Sequence, residues 1–112
     1  IPGLKVVMPT SAYDAKGLLL ESIFDNDPVI FLEHRWLHGL KSEVPEGDYR
    51  GQIGKANILT TGNQITVVSL SYITIEALRA VKQLQSEGIS CELIDLRSTS
   101  PIDWKKIKSL SW

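Results

Sequence analysis

The sequence predicts an α/β fold, with mostly parallel sheets and flanking helices. Three observations carry this. Residues 29–32 are a continuous apolar run, 65–70 a mainly apolar one, and 89–96 read as a further buried strand, the pattern of strands buried on both faces of a parallel sheet. Residues 72–87 between the last two runs have helical periodicity. Strand, helix and strand at this spacing make a parallel crossover.

Each element has a local reason. Residues 5–8 form a β-branched run closed by Pro9, a strand leaving a core. Ser11 begins a helix over 11–24: Ser11-x-x-Asp14 has the polarity of a capping box, and Ala15, Leu18, Leu19 and Ile23 share one face. Asp25-Asn26-Asp27-Pro28 breaks it before the strand 29–32. Residues 39–54 mix glycine, Pro45 and charge without periodicity, which reads as a linker rather than a loop inside one domain. A strand over 56–60, a turn at Thr61-Gly62-Asn63 and the strand 65–70 follow. The next helix turns Ala77, Leu78, Val81 and Leu84 inward and ends at Gly88, which suits a left-handed residue. Ser100-Pro101 should open a last helix running to Trp112, with proline in its first turn.

Composition narrows the function. With 112 residues, 43% hydrophobic and 22% charged, the chain supports a modest core. Its 12 basic and 13 acidic residues are interspersed, so there is no basic footprint for nucleic acid. The apolar runs are too short to span a bilayer as helices, which argues against a membrane partner. Cys91 is alone, which excludes an internal disulfide and a cysteine-built zinc site. The chain lacks an initiator methionine and stops inside a helical pattern, so it reads as an excerpt of a longer protein.

Candidate chemistry is sparse. Gly51-x-x-Gly54-Lys55 lacks the spacing of a phosphate loop. Glu33, His34 and His38 are the one acid–histidine cluster. On a helix His34 and His38 would share a metal-binding face, but they follow a strand and precede Gly39, which favours polar residues at a sheet exit. Ser69 and Ser71 sit where α/β folds take ligands, yet no nucleophile elbow surrounds them, and helix capping is the plainer role. Arg97 with Asp95 or Asp103 suggests a structural ion pair before an anion site.

In order and spacing, several stretches together resemble the β subunits of pyruvate, branched-chain and acetoin dehydrogenases, thiamine-diphosphate-dependent 2-oxo-acid dehydrogenases of the E1 type. These are Ile1-Pro2-Gly3-Leu4-Lys5-Val6-Val7-Met8-Pro9, Tyr13-Asp14-Ala15-Lys16-Gly17-Leu18-Leu19, and Asp27-Pro28-Val29-Ile30-Phe31-Leu32-Glu33-His34. Glu43-Val44-Pro45-Glu46-Gly47-Asp48-Tyr49 and Ile53-Gly54-Lys55-Ala56 continue the series, and Ile94-Asp95-Leu96-Arg97 with Ser100-Pro101-Ile102-Asp103 closes it. The resemblance implies that 1–38 end a pyrimidine-binding domain, 39–54 link, and 55–112 begin a transketolase-type C-terminal domain.

It also implies a heterotetramer with an E1 α subunit and a second β subunit. That assembly oxidatively decarboxylates a 2-oxo acid and passes the acyl group to a lipoyl acyltransferase core. It would work in the cytoplasm of a bacterium or the mitochondrial matrix of a eukaryote. Thiamine diphosphate and magnesium belong to the whole E1; the family's activating glutamate and catalytic histidine lie upstream, so no catalytic residue carries over. A structural potassium held at a helix end does transfer by position, onto Ser22, Ile23, Asp25 and Asp27, where last-turn carbonyls are unpaired acceptors. Ser71-Tyr72 stands where the family begins a helix with glycine. A piece of transketolase or deoxyxylulose-phosphate synthase shares the domain plan, and a non-catalytic subunit-interaction module is a third reading.

Overall fold

The computed structural model describes residues 1–110. It contains two β–α–β units. β1 (Lys5–Val7), α1 (Ala12–Phe24) and β2 (Val29–Phe31) make the first, followed by a single 3-10 turn at Arg35–Leu37. After the connector come β3 (Asn57–Thr60), then β4 (Ile65–Ser69), α2 (Tyr72–Ser86) and β5 (Cys91–Asp95) as the second unit, and finally β6 (Ser98–Ser100) and α3 (Trp104–Leu110). The strands form two three-stranded sheets, ordered β2-β1-β6 and β3-β5-β4.

The α/β class holds, but strand direction is mixed rather than mostly parallel. The crossover pairs β1–β2 and β4–β5 are parallel, whereas β6 joins β1 and β3 joins β5 antiparallel. The two halves therefore share a sheet: β6, from the C-terminal half, is an edge strand beside β1. Ser100 Oγ donates to the Leu4 carbonyl at 2.8 Å, and the Met8 N–H to the Arg97 carbonyl at 2.8 Å.

β5 is the central strand of its sheet and buried at every position. Val81, Cys91 and Leu93 form the core beneath α2, with Ala77, Leu78 and Leu84 packed on it as the helical period requires. The end of α2 is a Schellman turn. Ile89 N–H donates to the Leu84 carbonyl, Gly88 N–H to that of Gln85, and Gly88 takes φ +82°.

Three expectations change. Residues 29–32 and 65–70 are not buried on both faces: Ile30, Leu32, Ile65 and Val68 are exposed, because β2 and β4 are edge strands. On α1 the buried stripe is Asp14, Gly17 and Leu18; Leu19 and Ile23 face outward, because the connector folds back on the Gly17 side. Ser100-Pro101 does not open a helix. Residues 98–100 extend along β1, the Ser100–Pro101 peptide is cis, and α3 starts only after Asp103, whose Oδ1 accepts the Lys106 N–H at 3.0 Å. The predicted end of that helix at Trp112 lies outside the described residues.

Residues 39–54 contain no regular strand or helix and are mostly exposed. They nevertheless dock on α1. Tyr49 stacks on Tyr13 with centroids 4.6 Å apart, its hydroxyl donates to the Tyr13 carbonyl at 2.8 Å, and the Lys16 ammonium lies over its ring. The absence of a side chain at Gly17 allows this: a Cβ there would stand 2.9 Å from Tyr49 and 3.0 Å from the Gly51 nitrogen.

Candidate functional site

The site assembles where β1 and β5 end, the position at which open α/β sheets take ligands. After β1, Pro9 and Thr10 lead into α1. The Ser11 hydroxyl caps α1 by accepting the Asp14 N–H at 3.1 Å, so Asp14 sits in the first turn, at the positive helix end. After β5, Arg97 takes φ +61° and reverses the chain into β6.

This turn aims the Arg97 guanidinium across the molecule. Nη1 reaches Asp14 Oδ1 at 3.1 Å, while Nε and Nη2 donate to the Lys55 carbonyl at 2.9 and 2.7 Å. One side chain thus ties α1, the connector end and β5 together. The ion pair expected for Arg97 exists, but with Asp14. Asp95 accepts the Arg97 backbone N–H, at 3.2 Å on Oδ1, and not its guanidinium, while Asp103 accepts the Ala56 N–H at 3.0 Å. Burial opposes the charge of Asp103, but the N–H groups of Ala56 and Lys106 outweigh it and hold its pKa below the usual carboxylate range.

Asp95 is 2% exposed and forms the floor of a cleft of about 560 Å³ between the two sheets. Burial pushes its pKa up to about 6. The Thr10 hydroxyl, whose single proton is also taken by the Ser71 carbonyl at 3.0 Å, and then the Arg97 N–H oppose this without outweighing it. Asp14 adds repulsion, and the nearby Arg97 charge, already held by Asp14, offsets little of it. Leu37, Leu40, Leu59, Ile75 and Leu78 make the apolar wall. Glu33, His34, His38 and Lys41 stand at the exposed rim.

The other candidates fall outside this arrangement or serve the fold. His34 and His38 flank the 3-10 turn rather than sharing an α-helical face. His34 Nδ1 accepts the Trp36 N–H, its ring stacks on Tyr72 at 4.9 Å, and His38 pairs with Glu33 at 3.5 Å. The Ser69 hydroxyl lies between the Thr74 hydroxyl and the Ile94 carbonyl, at 2.9 and 3.1 Å, and faces no base. Ser71 occupies the N-cap position of α2 without capping through its side chain. Its φ is +55°, and its buried hydroxyl has no partner.

At the end of α1, Asp25 and Asp27 meet a group the sequence did not bring near them. Lys5 Nζ lies 2.9 and 2.8 Å from the two Asp25 oxygens and 3.1 Å from Asp27 Oδ2. Asp25 Oδ1 also accepts the Asp27 N–H at 2.8 Å. The Lys5 hydrogen bond, then the Asp27 N–H, holds the Asp25 carboxyl below its ordinary pKa, while the Asp25 and then the Asp27 carboxylate raise that of Lys5. The Ser22 hydroxyl donates back to the Leu18 carbonyl at 2.6 Å, and Ile23 points outward. Asp25 is extended, so the Ser22 and Ile23 carbonyls end the helix without a closing turn. This donor set fits a monovalent cation only in part, because an ammonium already neutralises the carboxylates. Nothing here fits a diphosphate with its magnesium: among the described residues no group of three or more His, Cys, Asp or Glu could hold a metal ion.

Sequence reasoning missed Asp14 as the partner of Arg97 and Lys5 as the cation at Asp25. Both contacts bridge distant segments, and neither has a local signal.

Residues 54–112 match the transketolase C-terminal domain family. Over 103 residues, 92% of this chain, it is 52% identical to the acetoin:2,6-dichlorophenolindophenol oxidoreductase subunit beta of Cupriavidus necator, covering 30% of that protein. It is likewise 52% identical over 103 residues to the pyruvate dehydrogenase E1 component subunit beta of Staphylococcus epidermidis, covering 91% of this chain and 32% of that one. The chain therefore spans about a third of the length of the curated relatives it matches. Among solved structures, a split-gene transketolase described as an inactive beta4 tetramer superposes with a TM-score of 0.80 at 29% identity, over 97% of this chain and 35% of that one. With one family matching more than half of its residues, and the fold matching over nearly all of them, this chain belongs to the transketolase C-terminal domain family.

Proposed function

We propose that this chain is part of the β subunit of a 2-oxo-acid dehydrogenase E1 component, with 1–38 ending a pyrimidine-binding domain, 39–54 connecting, and 55–112 beginning the C-terminal domain. One observation carries the reading: the 52% identity to acetoin and pyruvate dehydrogenase β subunits runs through both halves and the connector. In the whole E1, the reaction is oxidative decarboxylation of a 2-oxo acid on thiamine diphosphate with magnesium, followed by acyl transfer to the lipoyl groups of an acyltransferase core. The E1 α subunit and a second β subunit complete the assembly, in a bacterial cytoplasm or a mitochondrial matrix. This chain's share is scaffolding, since its buried polar groups join elements to one another.

Ser22, Ile23, Asp25 and Asp27 form part of a potassium site in that assembly. The Lys5 ammonium leaves the isolated chain only weak potassium affinity, because it already engages the carboxylate oxygens of Asp25 and Asp27. Potassium and sodium chloride should therefore shift its melting temperature equally; a large rise with potassium alone overturns this.

The main test is co-purification. The tagged chain, expressed in its own host, should recover an α subunit of a 2-oxo-acid dehydrogenase. Recovery of a transketolase subunit, or of copies of itself alone, overturns the assignment. Calorimetric titration of the isolated chain with thiamine diphosphate and magnesium should show no saturable binding.

The self-associating outcome is the second reading, and the neighbour described as an inactive beta4 tetramer favours it. A chain kept for subunit interaction alone would use the apolar side chains left exposed on β2 and around Trp36.

A further inference from the structure

The cleft between the two sheets has no part in the scaffolding just described, and its chemistry is uneven. At the rim, charges of both signs meet water: Glu33 pairs with His38, and Lys41 stands beside them. At the floor stand two carboxylates, Asp14 and Asp95, and the Arg97 cation is bonded to Asp14 alone. Three of the five guanidinium N–H groups of Arg97 go to Asp14 and the Lys55 carbonyl, and its side chain makes no hydrogen bond to Asp95. Asp95 therefore ends the central strand with no cation bonded to it, one oxygen on the Arg97 N–H and a contested claim on the Thr10 hydroxyl. The wall beside it, Leu37, Leu40, Leu59, Ile75 and Leu78, is hydrocarbon.

We propose that this cleft binds an aliphatic ammonium group, with the charge on Asp95 and the hydrocarbon body against the leucine–isoleucine wall. Three features favour that chemistry over others. An ammonium supplies the missing counter-charge through charge-assisted hydrogen bonds, where a hydroxyl offers only a neutral one. A carboxylate or phosphate would face Asp95 and Asp14 with no free cation at the floor. The volume of about 560 Å³ lies in the range of small-molecule sites, and the few polar groups converge at one end, as such sites require. The ammonium belongs either to a free alkylamine or to a lysine side chain of a bound peptide. The assignment does not depend on which enzyme the longer protein forms.

The test is titration of the chain, followed by amide chemical shifts, with n-hexylamine, n-hexanol, hexanoate and Nα-acetyl-lysine N-methylamide. At pH 8 hexylamine should saturate the cleft resonances, hexanol should bind at least about tenfold more weakly, and hexanoate should not bind. Between pH 8 and pH 5 amine binding should weaken about tenfold as Asp95 takes a proton, with Asp14 beside it and Glu33, His34, His38 and Lys41 at the rim. Asp95→Asn tests the charge directly: it keeps an oxygen for the Arg97 N–H, so the fold should persist, while the advantage of amine over alcohol disappears. Should Asp95→Asn misfold, Leu59→Ala provides a second reading, weakening hexylamine more than butylamine. Equal affinity for hexylamine and hexanol, or amine binding unchanged in Asp95→Asn, overturns the proposal. The capped lysine binding more tightly than hexylamine identifies a peptide source, and the reverse order a free amine.

Discussion

Two side chains are held against their own preference, and each yields a measurable effect. Asp95 carries a pKa pushed up to about 6 by burial, against an ordinary value of 3.8. The folded state therefore binds its proton more tightly than the unfolded chain does. That contribution is fully present at low pH and is lost as pH rises from about 4 through 6, leaving an ionised carboxylate that costs about 3 kcal/mol. Asp95→Asn should stabilise the protein above pH 6 by about 2 kcal/mol and change little at pH 4, read from urea midpoints at the two pH values. Ser71 is held at φ +55° with a buried, unpartnered hydroxyl, a conformation costing about 1–3 kcal/mol for a residue other than glycine. Ser71→Gly removes both penalties and adds roughly 0.5–1 kcal/mol of chain entropy in the unfolded state. A net gain of about 1 kcal/mol is expected, seen as a higher urea midpoint with unchanged slope. No helix cap is lost, because the hydroxyl makes no capping bond.

Among the elements, α1 and the connector stabilise one another. The connector has neither strand nor helix, yet Tyr49, Lys16 and Tyr13 stack it onto the helix through the gap at Gly17. Gly17→Ala improves helix propensity by about 1 kcal/mol but drives a methyl group into Tyr49 and the Gly51 backbone, at about 1–3 kcal/mol. The connector should lift, so limited proteolysis within 41–51 should accelerate several-fold while helix content stays constant. Unchanged cleavage would mean the stack does not hold the connector. The C-terminal turn teaches the converse. Proline after serine is compatible with a helix start, but pairing with β1 is stronger locally, so 98–100 extend and Asp103 caps α3 instead.

For the whole molecule, the decisive contact is Arg97 with Asp14. It closes a buried ion pair across 83 residues and supports the sheet that both halves share. Arg97→Ala leaves Asp14 buried without a counter-charge, a loss of about 3–5 kcal/mol set against domain stabilities of about 5–15 kcal/mol. Calorimetry should then show a much lower melting temperature and a broadened transition. The surface also exposes Ile30, Leu32, Trp36 and Ile73 beside the unpaired edge of β2. Each large apolar side chain left in water forgoes roughly 1.5–3 kcal/mol of burial. The isolated chain should therefore self-associate, with a sedimentation coefficient that rises with concentration; a monodisperse monomer at all concentrations would count against these surfaces as interfaces.

The class of the fold, the extents of α1 and α2, the Gly88 stop and the irregular 39–54 stretch were legible in the sequence. Each depends on short-range periodicity, capping or backbone freedom, and those act within a few residues. What required the folded chain were relations between distant segments. Apolar runs alone cannot tell an edge strand from a central one, so the exposure of Ile30 and Val68 and the full burial of 91–95 followed only from strand order. The same holds for chemistry. Arg97 announced an ion pair, but Asp14 rather than Asp95 takes it, because a left-handed turn carries the guanidinium across to α1 and leaves Asp95 facing the cleft. The resemblance implied potassium at Asp25 and Asp27, and the fold also brings Lys5 to them, from a position twenty residues away from Asp25. Local order follows from local sequence, whereas the pairing of charges is decided by which backbone segments the sheets bring together.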